Sequence, residues 1–143
     1  MRRLLRLLAL CAAAALVLSG CSREEPAEER SFAIDLTCES AGIYQIFYTY
    51  YIDGVSCGIG GVADLDGGEL TDKSDLTIVF PEGLFEKNDD ISKFSIDFSP
   101  YGEGDTSELG TTNRLEIAAE YGQTYAVRFS GDAAGGFSAA LAS

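Results

Sequence analysis

From Ser31 onward, apolar residues recur at every second position. Phe32, Ile34, Leu36 and Cys38 alternate with Ala33, Asp35 and Thr37. The same period returns in Leu76-Ile78-Phe80, Phe94-Ile96-Phe98, Leu115-Ile117-Ala119, Tyr125-Val127-Phe129 and Phe137-Ala139-Leu141, with each residue two positions from the next. A period of two sends successive side chains to opposite faces, so each set predicts a half-buried β-strand. The longest apolar run, Ile43 to Ile52, places Tyr44, Ile46, Tyr48, Tyr50 and Ile52 on one face. Ile43, Gln45, Phe47, Thr49 and Tyr51 take the other. Asp53-Gly54 follows as a two-residue hairpin signal, because both residue types tolerate the positive φ of a type I′ turn. Val55 to Val62 is the return strand. Gly58, Gly60 and Gly61 give it no side chain at those points, which predicts a bulge or a close approach. Ala63 to Asp75 and Pro100 to Thr111 read as polar loops. Glu82 to Asp90 has room for one helical turn around Leu84-Phe85.

Seven or eight short strands with turn signals about every 8–13 residues predict an all-β fold, a single antiparallel β-sandwich over residues 31–143. A chain of this length can bury roughly two-thirds of its unfolded surface. Gly122-Gln123-Thr124-Tyr125 resembles the tyrosine corner of immunoglobulin-like sandwiches, in which a Tyr hydroxyl bonds back to nearby backbone. That likeness implies an immunoglobulin-like arrangement.

The N-terminus follows a different pattern. Met1-Arg2-Arg3-Leu4-Leu5-Arg6 is short and basic, and Leu7 to Leu18 is wholly apolar. The apolar run fits a signal-peptide core of ~7–15 residues and falls short of the ~18 of a spanning helix. It ends in Leu18-Ser19-Gly20-Cys21. This tetrapeptide resembles the lipobox of bacterial lipoproteins. The resemblance implies a cleaved signal peptide over residues 1–20 and a lipidated Cys21 as the new N-terminus, with palmitate-type acyl chains. It places the protein outside the cytoplasm, held to a membrane at the cell surface by its lipid anchor. Ser22 to Arg30 is charged and lacks large apolar residues, so residues 21–30 are expected to form a disordered tether. The folded part resembles small bacterial lipoproteins of this length, a likeness that implies no activity.

Charge narrows the partners. Ten Lys and Arg stand against 23 Asp and Glu, a net charge of −13. Loss of Arg2, Arg3 and Arg6 with the signal leaves seven basic residues against the same 23 acids, near −16. Such a surface repels nucleic acid and anionic headgroups, so nucleic acid is excluded as a partner. The chain has no His, which removes imidazole bases, Ser-His triads and the usual zinc sites. Paired-carboxylate catalysis needs a cleft, and a chain this short offers no evident one, so the reading is a non-enzyme.

Three constellations remain. Outside the cytosol, a Cys38–Cys57 disulfide is the default. Hairpin turns at 39–42 and 53–54 would put Cys38 opposite Ile43 and Cys57 beside Tyr50, ~23 Å apart along one strand. Bonded cysteines need Cα atoms within about 7 Å, so two buried thiols are expected instead. If every strand crosses the sandwich once, loops 63–75, 99–112 and 130–136 gather at the end away from the tether. They carry Asp64, Asp66, Asp72, Asp75, Glu103, Asp105, Glu108 and Asp132. No cofactor is expected unless it is calcium, which takes six to eight oxygens from clustered carboxylates and backbone carbonyls, and Asp64, Asp66 and Asp105 are the candidate ligands. Phe47 and Tyr51 are the candidate exposed aromatics for a ligand such as a glycan. The functional expectation is an extracytoplasmic lipoprotein with a binding domain for an envelope protein or glycan. The alternative is a structural envelope lipoprotein without a small-molecule ligand.

Acylation of Cys21 carries the anchor reading and is tested directly. Cys21→Ala is expected to move the protein from the membrane fraction to the soluble fraction of lysed cells. A variant that still sediments with membranes would overturn the anchor.

Overall fold

The computed structural model describes residues 28–71, 76–104 and 106–143. The signal segment, Cys21 and the first part of the tether lie outside the described residues, as do Asp72, Asp75 and Asp105. Among the described residues eight strands form: β1 (Ser31–Cys38), β2 (Gln45–Ile52), β3 (Val55–Ala63), β4 (Leu76–Pro81), β5 (Phe94–Tyr101), β6 (Leu115–Ile117), β7 (Thr124–Asp132) and β8 (Gly136–Leu141). They build two four-stranded sheets, ordered β4-β1-β7-β8 and β3-β2-β5-β6. The architecture is an all-β sandwich. Among the described residues, no helix is long and apolar enough to cross a membrane.

Strands form where the period of two runs. Phe32, Ile34, Leu36 and Cys38 of β1 are all buried, as are Leu76, Ile78 and Phe80 of β4 and Phe94, Ile96 and Phe98 of β5. The inward faces of both sheets meet in one apolar core. At the end where β1 begins, the core is aromatic. The Phe32 ring stacks on Phe80 at 5.1 Å and meets Phe94 edge-on at 5.0 Å. Phe85 and Tyr125 lie 6.0 and 6.3 Å from Phe32, and Tyr50 stands 5.3 Å from Phe80. Phe32 and Phe80 come from one sheet, Phe94 and Tyr50 from the other, so this cluster joins the layers. Each such pair adds about 0.5–1.5 kcal/mol beyond its area burial. A second stack, Phe129 on Phe137 at 5.5 Å, serves the opposite end of the first sheet.

The first sheet is mixed, which corrects the expectation of a purely antiparallel sandwich. β1 pairs antiparallel with β4 but parallel with β7. The segment after β1 is not a hairpin. It carries the chain to the other sheet, so β1 and β2 do not pair. Ser40 and Ile43 explain the crossing, since both are buried. The Ser40 hydroxyl donates to the Gly131 carbonyl at 2.7 Å, and the Ile43 carbonyl accepts from the Leu70 N–H at 2.7 Å. A tight turn at the surface would forfeit these buried contacts.

The β2–β3 turn is as expected. Asp53 and Gly54 have φ of 49° and 80°, the paired positive values of a type I′ hairpin. Glycine in β3 has a packing reason. A Cβ at Gly60 would lie 2.2 Å from the Tyr48 ring, and one at Gly58 2.6 Å from the Tyr50 hydroxyl. The β2 tyrosines thus lie over bare backbone in β3. The register slips between Tyr50 and Tyr51, leaving Cys57 as the extra residue of a bulge. Cys38 and Cys57 are not bonded to each other. They stand in different sheets, Cys38 buried at the end of β1 and Cys57 turned to solvent by the bulge. The expectation of two buried thiols is corrected for Cys57.

The expected turn near Leu84 is a 3-10 turn over Glu82–Leu84, and a second spans Ile91–Lys93. Asp90 caps the second by accepting from the Ser92 N–H at 3.2 Å. The Tyr125 hydroxyl accepts from the Glu120 N–H at 2.9 Å and donates to the Ala118 carbonyl at 3.2 Å. This is the backbone tie expected of Gly-x-x-Tyr. Strand directions set two ends. Residues 39–44, the loop after β3, the loop after β5 and the β7–β8 turn share the end remote from Ser31. The Asp53-Gly54 turn, residues 82–93 and residues 118–123 share the Ser31 end, where the Gly122 N–H bonds the Ser31 carbonyl at 2.7 Å.

The ring cluster is expected to dominate stability. Phe32→Ala should lower the unfolding free energy by roughly 3–5 kcal/mol in urea denaturation. Val79→Ala, at an exposed position, should shift it by less than about 0.5 kcal/mol. Equal costs at the two positions would show that the cluster is not the joint between the sheets.

Candidate functional site

Alternation along the second sheet gives it an outer face as well as a core face. Phe47, Thr49 and Tyr51 of β2 point outward, because Ile46, Tyr50 and Ile52 point in. The register sets Ser99 and Gly61 beside Phe47, Asp97 and Ile59 beside Thr49, and Ser95 and Ser56 beside Tyr51. Tyr101, at the end of β5, falls on the same face.

Phe47 is the only one of the eight Phe residues with an exposed side chain, at 37%. Its ring meets Tyr101 edge-on at 5.2 Å. Tyr51 is half-buried and committed to neighbours. Its hydroxyl donates to Asp97 Oδ2 at 3.0 Å, and the Arg114 guanidinium lies 3.5 Å from its ring centroid. Arg114 Nε also stands 3.6 Å from Asp97 Oδ2. Tyr51, Asp97 and Arg114 form a closed polar triad, with one face of the Tyr51 ring occupied by the cation. The structure therefore separates the two expected ligand residues. Phe47 is open with Tyr101, whereas Tyr51 braces the sheet. The sequence reading missed Tyr101 because it ended the strand at Pro100. The alternation Ser95, Asp97, Ser99, Tyr101 carried the signal for it.

Two open clefts flank the Asp53-Gly54 turn, of about 640 and 530 Å³. The larger touches Val55, Leu84, Glu86, Asp89 and Lys93, and the smaller Ser95, Arg114 and Glu116. They correct the expectation that a chain of this size shows no cleft. Lys93 stands between them and pairs with Asp53 at 3.1 Å.

The acidic loops share the far end, as the alternation argument expects, and Asp64 and Asp132 are engaged there by their own loops. Asp64 Oδ2 accepts from the Gly68 N–H at 3.1 Å. Asp132 Oδ1 accepts from Ala134 and Gly135 at 2.9 and 2.6 Å, closing its own turn. Asp66, Glu103 and Glu108 are exposed. Among the described residues, no three His, Cys, Asp or Glu side chains stand together as a metal would need. Asp105, the third expected calcium ligand, lies outside the described residues. The loop after β3 also holds a plug that its polar composition hid. Leu70 is fully buried, and the Thr71 hydroxyl donates to the Ser40 carbonyl at 2.7 Å.

Three carboxylates are held below the usual range by hydrogen bonds. Glu69 accepts from the Gly42 N–H and the Thr71 hydroxyl. Glu82 accepts from the Arg30 guanidinium, and Asp90 from the Ser92 hydroxyl and N–H. No protein-family model, curated protein or solved structure matches the chain.

These carboxylates fix the sign of the acid response. Each binds fewer protons folded than unfolded, so its stabilisation is complete above the unfolded pKa of about 4 and lost as pH falls through the lower folded value. The urea midpoint is therefore expected to fall below about pH 4. Glu69→Gln should flatten part of that fall and lower the midpoint at neutral pH. A pH profile identical to that of the unsubstituted chain would show that the bonds to Gly42 and Thr71 carry no folding energy.

Proposed function

We propose that the protein is a lipid-anchored, extracytoplasmic binding module. Acylated Cys21 holds it to a membrane, and the residues that follow, as far as Glu29 and Arg30, which bond to Gly83 and Glu82, are the tether that lets the domain stand clear of the lipid. Two or three acyl chains give stable attachment where one gives marginal binding. In this reading the Ser31 end faces the membrane, and the loops after β3 and β5 face away.

The binding surface is the outer face of the β3-β2-β5-β6 sheet. The single observation that carries this is Phe47, an exposed ring paired with Tyr101 on an open sheet face. All other Phe rings of the chain are buried or half-buried. A flat ring with hydroxyl neighbours, here Thr49 and Ser99, the latter shared with Thr111, suits the apolar face of a sugar and its hydroxyls. A glycan is therefore the preferred ligand class, with an envelope protein as the other. Support for an immunoglobulin-like sandwich comes from the Tyr125 hydroxyl, bonded to backbone on both sides as a tyrosine corner is. The order β4-β1-β7-β8 departs from the ABED and CFG sheets of that fold.

A glycan array and a pull-down from envelope extract test the reading. Phe47→Ala with Tyr101→Ala is expected to cut retention of the captured ligand at least about tenfold, the loss of a stacking contact worth ~1.4 kcal/mol. The circular dichroism spectrum should stay unchanged. Ligand capture that survives both substitutions would overturn the surface assignment. No capture by either method, with an envelope defect on deletion, would favour the structural role.

A further inference from the structure

The edge of the second sheet offers a different kind of site from its face. Among the described residues, β3 is the outermost strand and pairs on one side only, with β2. Its nine residues, Val55 to Ala63, include no charged residue and no Pro. Natural sheets blunt their edges with charge, Pro, brevity or cover, because unpaired backbone groups template another strand. The other three edges here follow that rule. β6 has three residues, flanked by Arg114 and containing Glu116. β8 is covered at Ala139, whose N–H and carbonyl both bond the Asn113 side-chain amide at 3.0 Å. β4 ends in Pro81. β3 has only its bulge at Cys57, and from Gly58 to Ala63 its register is unbroken.

Two β-branched side chains on this strand lie in water, Val55 at 69% and Ile59 at 74% exposure. A neighbouring strand would cover them, since side chains on adjacent strands stand about 5 Å apart. The larger cleft opens at the same strand's N-terminal end. Val55 and Leu84 give it an apolar bed, while Glu86, Asp89 and Asp90 ring it. Its one cation, Lys93, is paired with Asp53. An alkyl stem ending in a positive charge satisfies both parts of such a cleft, which describes Lys or Arg. A second copy of this chain does not fit. It would bring the same acidic cleft and a net charge of −13 to the contact.

We propose that β3 accepts an extended, basic peptide segment of a partner protein as an added strand, with one Lys or Arg side chain seated in the cleft beside Val55 and Leu84. Main-chain bonds to the β3 edge supply affinity, and the cleft supplies selection for the cation. This goes beyond the face described above, because the edge can be filled whether or not Phe47 takes a ligand.

The test uses the full chain purified in detergent and the end-capped peptide Lys-Val-Lys-Thr-Lys-Val-Lys, with its Glu-for-Lys counterpart as control. Amide exchange of residues 55–63 is read with and without peptide. The basic peptide is expected to slow exchange in β3 about tenfold, as new strand bonds protect the edge. Glu86→Gln with Asp89→Asn, whose amide oxygen can still accept from the Glu86 N–H, should weaken its binding at least about tenfold and leave the circular dichroism spectrum unchanged. Binding without β3 protection, equal binding of the acidic peptide, or no binding at millimolar peptide would each overturn the proposal. Protection of β3 that rises with protein concentration in the absence of peptide would assign the edge to self-pairing instead. A glycan lost on Phe47→Ala while peptide binding persists would separate this site from the face.

Discussion

The sandwich depends on one contact between its layers, the aromatic cluster around Phe32. Stacking on Phe80 ties Phe32 to its own sheet, and edge-on contact with Phe94 ties it to the other. Phe85 enters the same cluster from the irregular segment between the two 3-10 turns, Ile91 packs on the core beside it, and the Glu82 N–H to Arg30 carbonyl and Asp53 N–H to Lys93 carbonyl bonds fix the segment's ends. The Tyr125 tie sits beside it and fixes where β7 begins. Rings large enough to span from one sheet to the other let a small domain close its core with few residues. They also take up the inner side of β2, where Tyr48 and Tyr50 need glycine beneath them. The bareness of β3, and with it the form of the second sheet's edge, follows from what the core requires.

How far the sequence reveals this depends on the range of the interaction. Strand existence is a local property: the period of two located the strands other than β3, and the turn before β3 supplied that one. The turn at Asp53-Gly54 and the Tyr125 tie are also local, because their bonds close within a few residues. The pairing of β1 with β7 joins residues about ninety positions apart, and no local pattern announces it. Taking Glu39 to Gly42 for a hairpin followed from their polarity. The buried Ser40 and the plug at Leu70 overrule that, and both act through partners distant in sequence. Phe47 was legible as an outward aromatic. The commitment of Tyr51 was not, because Arg114 and Asp97 reach it from elements that only the register brings near.

Several acids serve the fold itself. Asp64, Asp132, Glu69 and Asp90 hold backbone N–H groups of their own or adjoining loops. Part of the negative charge is thus structural at the sandwich ends. The outer face of the second sheet is by contrast nearly neutral, with Asp97 balanced by Arg114. A neutral face between two acidic ends limits indiscriminate attraction of cations while leaving aromatic surface open. The clefts beside Asp53 and Gly54 are the exception, since there acids line a concave surface.

The position of β1 has a consequence for how the molecule comes into being. The first strand of the domain is an interior strand of its sheet, with one neighbour starting at Leu76 and the other at Thr124. A chain that emerges N-terminus first cannot complete that sheet until nearly all of it has appeared. Contacts of such long sequence separation slow the search for the native state. The first sheet therefore closes late, after the partners of β1 from both later parts of the chain are in place.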